Sequence, residues 1–392
     1  MDSVKFGVET DIGQNKKNQD HWFNWKNDEK QLCVFGIADG HGTYGEVVSQ
    51  LTTKTILEYI DTNAADLETD VLGFLHRCFT LSNESFQSLS SDVSTTTAGG
   101  TTLSIVAIVR DKLYVANVGD SPVYLCTKSA ILKRSMIRHE IDFSVPPDMQ
   151  LLHDNDELDV TESLCSTIEL TCSHSPDSLR EFDRIRKLVP STESPGYPEL
   201  SFLYDKQGSR KDSLKPIFTV ASDETPPVKD HVGDYYKNVS KEWASIVKGG
   251  LPGHLAFTRS IGDFYWKGYG VTEHPEIQSF DLKEISSEDV ICVVAVSDGV
   301  SDNWVSANIG KFVMDPSCLN AVATQADIGA KRVALSLIRR NAIYATRHFG
   351  TDTDNATANI AYITPLKISS ASLQQSKNLL NGLWSSERSD AP

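Results

Sequence analysis

Two kinds of clustering are missing from this 392-residue chain: gathered basic charge and paired cysteine. Lys and Arg total 37 against 53 Asp and Glu, a formal net charge of −16. A nucleic-acid or anionic-membrane surface needs clustered Lys and Arg to neutralise phosphates, so this balance argues against both partners and leaves only local basic patches open. The seven cysteines, Cys33, Cys78, Cys126, Cys165, Cys172, Cys292 and Cys318, form no C-x-x-C pair, and no secretory apolar region follows Met1-Asp-Ser-Val-Lys5. The simpler expectation is a reducing, intracellular compartment, cytoplasmic with the nucleus left open. No apolar stretch approaches the roughly 20 residues of a spanning helix, and Asp2 excludes N-myristoylation. A soluble protein without internal repeats is expected.

What is present is a chain, 40% hydrophobic, long enough to bury a large core. The stretch Gln31-Leu-Cys-Val-Phe-Gly-Ile-Ala38 is apolar at both parities, as a strand covered on both faces must be. After a glycine-containing loop, Val47, Val48, Leu51, Ile56, Tyr59 and Ile60 recur at spacings of three and four, which predicts a helix over Glu46 to Ile60. A second helix is expected over Val71 to Phe86. Leu103 to Val109, Leu113 to Val118 and Val123 to Leu125 read as strands with connections short enough to make them antiparallel. Val290 to Val296 and Ala358 to Ile363 are further strands, and Val333 to Ala345 a helix. Mixed runs of strands and helices, without strict alternation, point to an α+β layered fold.

Two stretches depart from this pattern. Residues 134–166 are polar and acidic, and residues 190–250 carry six prolines; both read as insertions, because connections this long are uncommon in a compact domain. The expected organisation is one domain over residues 1–365 and a tail over 366–392 without stable structure, in which Leu379, Leu380, Leu383 and Trp384 are available for docking.

Four Asp-centred motifs punctuate the chain: Asn18-Gln-Asp20, Asp39-Gly-His-Gly42, Ser297-Asp-Gly299 and Thr353-Asp-Asn355. The last three lie at the ends of apolar runs, so their carboxylates would meet at strand ends, where hard cations can be held by oxygen alone. Glycines beside Asp39 allow close backbone approach and expose the Gly40 carbonyl. An isolated Asp-Gly, or Asp20 after Lys16-Lys17, is also a common turn; the signal lies in the joint arrangement.

Together with Gly99-Gly-Thr-Thr102, Ala116-Asn-Val-Gly-Asp-Ser121, Leu255-Ala-Phe-Thr-Arg-Ser-Ile-Gly-Asp263, His274-Pro-Glu-Ile277 and Leu170-Thr-Cys-Ser-His174, these motifs resemble the metal-dependent protein phosphatase family, the type 2C serine/threonine phosphatases, in the family's order. The resemblance implies a four-layer α/β/β/α sandwich with two central antiparallel sheets and a binuclear Mg²⁺ or Mn²⁺ centre at one end. Carried over, Asp39 bridges the two ions, Asp20 and the Gly40 carbonyl serve one, and Asp298 with Asp354 hold the other. Asp120 matches a weaker third metal site, or is simply a turn between strands. The implied activity is hydrolysis of phosphoserine and phosphothreonine in protein substrates by a metal-bridging water, with His41 protonating the leaving oxygen. A monomer is expected.

The sequence departs from the family where an Arg usually binds the substrate phosphate: Gly13-Gln-Asn-Lys-Lys-Asn18 places Asn15 there, with Lys16 or Lys17 as substitutes or as solvated charges. Gln19 stands where many members have Glu, and Pro122 follows Asp120-Ser121 where Arg is common, which predicts an edge strand or an altered strand start. Arg259 and Asp263 are expected to form an internal ion pair outside the catalytic set. Residues 190–250 lie where the family has its substrate-contacting flap. The alternatives are a catalytically weak or inactive relative acting as a binding or scaffold module, and a hydrolase of small phosphorylated molecules.

Overall fold

A computed structural model describes residues 4–89, 99–128, 130–146, 166–206, 216–221, 227–229, 242–249, 253–286 and 289–363. Its centre is two antiparallel sheets. The first runs in the order Val4–Asp11, Ala356–Ile363, Ile291–Val296, Val123–Thr127, Thr167–Glu169. The second runs Ile261–Gly262, Gly99–Thr101, Leu32–Gly42, Leu103–Val109, Lys112–Val118, Glu276–Asp281, Ile137–Asp142, with Asp20–Asn27 also paired to Leu32–Gly42.

The apolar runs at both parities are explained by the layering. Successive side chains of a strand face opposite sides. Ile291, Val293 and Ala295 therefore join Cys33, Phe35 and Ile37 in the core between the sheets. Cys292, Val294 and Val296 point outward to helices Ser306–Val313, Pro316–Gln325 and Asp327–Phe349. Leu32, Val34 and Ala38 point to helices Gly45–Asn63 and Val71–Leu89. The larger of these side chains, such as Phe35, Ile37 and Val294, contribute roughly 1.5–3 kcal/mol each, and four layers arise because each sheet has one face on the shared core and the other covered by helices. Among the described residues, no helix is long and apolar enough to cross a membrane, and the six described cysteines are free thiols.

Several expectations are corrected. The strand from Leu32 does not end before Asp39: it continues to Gly42, and Gly40–Gly42 pair with Gly99–Thr101. Residues 134–166 are not wholly an insertion, since Ile137–Asp142 is the edge strand of the second sheet; its polar composition reflects an edge position, and residues 147–165 lie outside the described ones. Within residues 190–250, Ser201–Lys206 pairs with Glu242–Val247, and Phe202, Phe218 and Ile246 join Phe182, Ile185 and Trp266 in a fourth core cluster. Pro122 does not mark an edge, because Val123–Thr127 lies between Ile291–Val296 and Thr167–Glu169. Pro122 stands just before the first paired residue, where only its carbonyl is used, accepting from the Val296 amide at 3.1 Å. The tail over 366–392 lies outside the described residues.

Candidate metal centre

The antiparallel register sets Asp20 opposite Asp39 on neighbouring strands. Asp298 opens the short helix Asp298–Ser301 immediately after Ile291–Val296, and Asp354 stands two residues before Ala356–Ile363. One sheet thus supplies Asp20 and Asp39 and the other Asp298 and Asp354. Two glycines let the backbones carrying them touch. A Cβ on Gly40 would lie 2.4 Å from the Gly45 carbonyl oxygen and 2.7 Å from that of Gln19; one on Gly299 would lie 1.8 Å from the Asn355 carbonyl oxygen. The second contact locks the Asp298 turn to the Asp354 turn.

Hydrogen bonds orient the carboxylates. Ser297 Oγ donates to Asp20 Oδ2 at 2.7 Å and accepts from the Thr357 amide at 2.9 Å. Asp20 Oδ1 is buried with no partner. Asp354 Oδ1 accepts from the Asn355 amide at 2.7 Å and from Asn15 Nδ2 at 2.8 Å. Asn355 in turn pins the 12–19 loop: its Oδ1 accepts from the Gln19 amide at 2.8 Å, and its Nδ2 donates to the carbonyls of Ile12 and Lys17 at 2.8 and 3.2 Å.

The four acids feel one another. Removal from water pushes Asp20 up to about 6, with Asp354 adding to the rise. Asp39 lies well above the ordinary carboxylate range, first through removal from water and then through Asp20, Asp298, Asp354 and Asp120. Asp298 is raised for the same reasons, through Asp354, Asp302 and Asp120. Asp120 follows Gly119, whose φ of +91° makes the turn after Lys112–Val118, so it is both a turn residue and part of the negative field.

Asp20 is buried, Asp39 and Asp298 are half-buried, and Asp354 is exposed, so the cluster opens to solvent. Among the described residues, no three His, Cys, Asp or Glu side chains already close around one point. The fit to hard divalent cations rests on the donor chemistry, all oxygen, and on the unpartnered buried oxygen of Asp20. A cation would relieve the repulsion that helps raise Asp20, Asp39 and Asp298.

His41 is not a solvent-facing loop residue. Its Nε2 lies 2.7 Å from Asp263 Oδ2, its ring packs on Phe257 with centroids 4.5 Å apart, and its Nδ1 is buried without a partner. The expected Arg259–Asp263 ion pair is replaced by two other contacts. Arg259 binds Asp142 through Nη1 and Nη2 at 2.8 and 2.9 Å, and Glu181 through Nη2 at 2.5 Å. Asp263 instead turns to His41, a contact that composition and spacing do not announce, since the partners are 222 residues apart. Burial would raise the Asp263 carboxyl, but His41 and Ser260 beside it hold it below its ordinary value.

Lys16 and Lys17 are exposed, and Lys17 pairs with Glu46 at 2.7 Å. The member of this segment that reaches the acids is Asn15, through Asp354. Ser297 and Asn355, whose roles emerge only here, sit inside the motifs themselves, which is the one signal that marked them.

The Protein phosphatase 2C family model matches residues 1–143 and 238–326, more than half of the chain. "Probable protein phosphatase 2C 35" of Arabidopsis thaliana is 25% identical over 271 residues, 68% of this chain and 58% of that protein. "Protein phosphatase 1K, mitochondrial" of Xenopus laevis is 24% identical over 302 residues, 76% of this chain and 56% of that protein. The chain thus spans less than two thirds of the length of these relatives. The crystal structure of serine-threonine phosphatase 2C from Toxoplasma gondii superposes with a TM-score of 0.58 at 15% identity, covering 92% of this chain and 95% of that one, a likeness of fold. The four-layer sandwich, the ordered aspartate motifs and the matched family model lead to one conclusion: the chain belongs to the protein phosphatase 2C family.

Proposed function

We propose that this chain is a metal-dependent protein serine/threonine phosphatase. The observation that carries the reading is the gathering of acids from four separate segments: Asp20, Asp39 and Asp298 are each raised, and the Asp354 carboxylate contributes to the rise of all three. In this reading two Mg²⁺ or Mn²⁺ ions would be held with Asp39 shared between them, one by Asp20 and the Gly40 carbonyl and the other by Asp298 and Asp354, and Asp120 would serve a peripheral third ion. When bound, such ions acidify a water and neutralise phosphoryl oxygens.

The chain's own groups do the rest. Ser297 holds Asp20 and leaves its second oxygen free. His41 is two residues from Asp39 on one strand, hence on the same face, and supplies a proton to the departing serine or threonine oxygen. Asn15, with Lys16 nearby, stands in for the usual phosphate-binding Arg. The 190–250 region is the candidate for selecting phosphorylated protein substrates, and the chain would act as a monomer in the cytoplasm or nucleus.

The test is hydrolysis of a phosphothreonine peptide with Mn²⁺ or Mg²⁺, with chelator, and by Asp298→Asn. Metal-dependent turnover abolished by the substitution is expected. Turnover indifferent to chelator overturns the reading; phosphopeptide binding without turnover at saturating metal favours a binding module; preference for small phosphate esters favours a small-molecule hydrolase.

A further inference from the structure

We infer that Asp263 is a positioning residue for His41: its carboxylate holds the imidazole through Nε2 and leaves Nδ1 as the nitrogen that hands over the proton. This rests on the phosphatase reading above and assigns a residue to it that the aspartate motifs do not contain.

Five features converge on this one contact. The His41 Nε2 to Asp263 Oδ2 distance is 2.7 Å, and Ser260 Oγ donates to the same oxygen at 2.6 Å, so the carboxylate cannot swing away. Asp263 has φ of 50°, a left-handed conformation that non-glycine residues avoid and that persists where the surroundings enforce it, often at functional sites. Its amide donates to the Gly99 carbonyl at 3.3 Å, and Ile261–Gly262 pairs with Gly100–Thr101. Gly100 itself passes beside the pair: a Cβ there would lie 2.3 Å from Asp263 Oδ2 and 2.7 Å from His41 Nε2. Finally, Phe257 packs on the ring.

Buried polar atoms are usually paired. Here the anchored nitrogen is over-determined and the other, Nδ1, is buried and unpartnered. In the transfer, the P–O bond to the leaving serine or threonine breaks with its electron pair going to that oxygen. The attacking water supplies the new P–O bond, and the leaving oxygen takes the Nδ1 proton. The ring is left as the neutral Nε2–H tautomer, still donating to Asp263, and Nδ1 regains the proton given up by the attacking water. An amide at 263 could present N–H to Nε2 and invert the tautomer, the failure expected when an orienting carboxylate is lost.

The experiment compares wild type with Asp263→Asn, Ser260→Ala and His41→Ala on two substrates: a phosphothreonine peptide, whose alkoxide needs a proton to leave, and p-nitrophenyl phosphate, whose phenolate does not. Asp263→Asn is expected to lower kcat on the peptide by about 100-fold or more and on the aryl ester by less than about threefold. Ser260→Ala should move the same way by a smaller factor, and the Asp263→Asn, His41→Ala double variant should be no worse than His41→Ala. Equal losses on both substrates mean a structural role and overturn the inference. Independently of activity, long-range ¹H–¹⁵N NMR of the neutral ring should show Nε2 protonated and Nδ1 bare in wild type, and a changed tautomer in Asp263→Asn; an Nδ1–H wild type overturns it. Wild type that turns over neither substrate overturns the phosphatase reading itself, and the tautomer then decides the pairing alone.

Discussion

Asp20 and Asp39 are register partners across the strand pair Asp20–Asn27 and Leu32–Gly42, two acids directly opposite each other, with one Asp20 oxygen held by Ser297 and the other held by nothing. Like charges opposed in this way destabilise a sheet. The arrangement is a stability cost of the fold that a cation would remove.

The first prediction concerns that cost. The folded-state value of Asp20 is raised from 3.8 to about 6, so in chelator the folded chain binds more protons than the unfolded one, and this group's penalty grows as pH rises through that window. Asp20→Asn should therefore stabilise the chelated protein by about 3 kcal/mol at neutral pH, with the gain vanishing at acid pH. Manganese should raise the Tm of wild type by more than that of Asp20→Asn or Asp39→Asn. Chelated melts across pH that leave the difference flat would rule this out.

Ser297→Ala removes the donor to Asp20 Oδ2 while leaving every proposed ligand in place. Partners that orient metal ligands are worth roughly 10–100-fold in metal affinity. The Mn²⁺ concentration giving half the full Tm shift should rise by that factor; an unchanged titration would show that Ser297 serves only the Thr357 amide.

On the phosphate side, Asn15 lies against Asp354, whereas Lys17 is turned to Glu46 at the surface. Asn15→Arg should lower KM for a phosphothreonine peptide by about tenfold, the worth of one charge-assisted hydrogen bond. Lys17→Ala should change it by less than about twofold, as for an exposed ion pair. Steady-state kinetics on both variants decide; the reverse ranking would place the phosphate on the lysine.

A fourth prediction concerns the buried Arg259 network. Burial alone would raise Glu181 and Asp142, yet Arg184 and Arg259 beside Glu181, and Arg259 beside Asp142, hold both below the ordinary range. Depressed acids contribute stability above their unfolded values, near pH 4, and that stability is lost as pH falls through the folded values. Arg259→Met removes the bidentate partner of Asp142 and leaves Glu181 to Arg184 alone, and should cost about 3–5 kcal/mol at neutral pH, shrinking in acid as those carboxylates protonate. Urea melts at neutral and acid pH read both numbers.

Much of this was legible in the chain itself. The doubly apolar runs around Val34 and Val294 imply strands covered on both sides, because alternation is a local property of the backbone, while the two-sheet, four-layer arrangement was implied by the family resemblance. Asp39 and Asp298 could be singled out because each ends such a run beside a glycine. The polar strand Ile137–Asp142 was hidden because an edge position relaxes the apolar pattern, and Asp39–Gly42 read as a loop because glycine signals a turn when its partner strand is unseen.

What the sequence alone determined, then, is the set of local facts: which segments are strands and helices, and which aspartates lie at their ends. What only the tertiary structure decided is who meets whom. Asp263 leaves Arg259 for His41, Asn15 reaches Asp354, and Ser297 takes one oxygen of Asp20. These partners are 222, 339 and 277 residues apart, so no local pattern encodes their distance. The contacts come from strand register and from glycines such as Gly100 and Gly299, whose missing side chains let separate backbones close on one another.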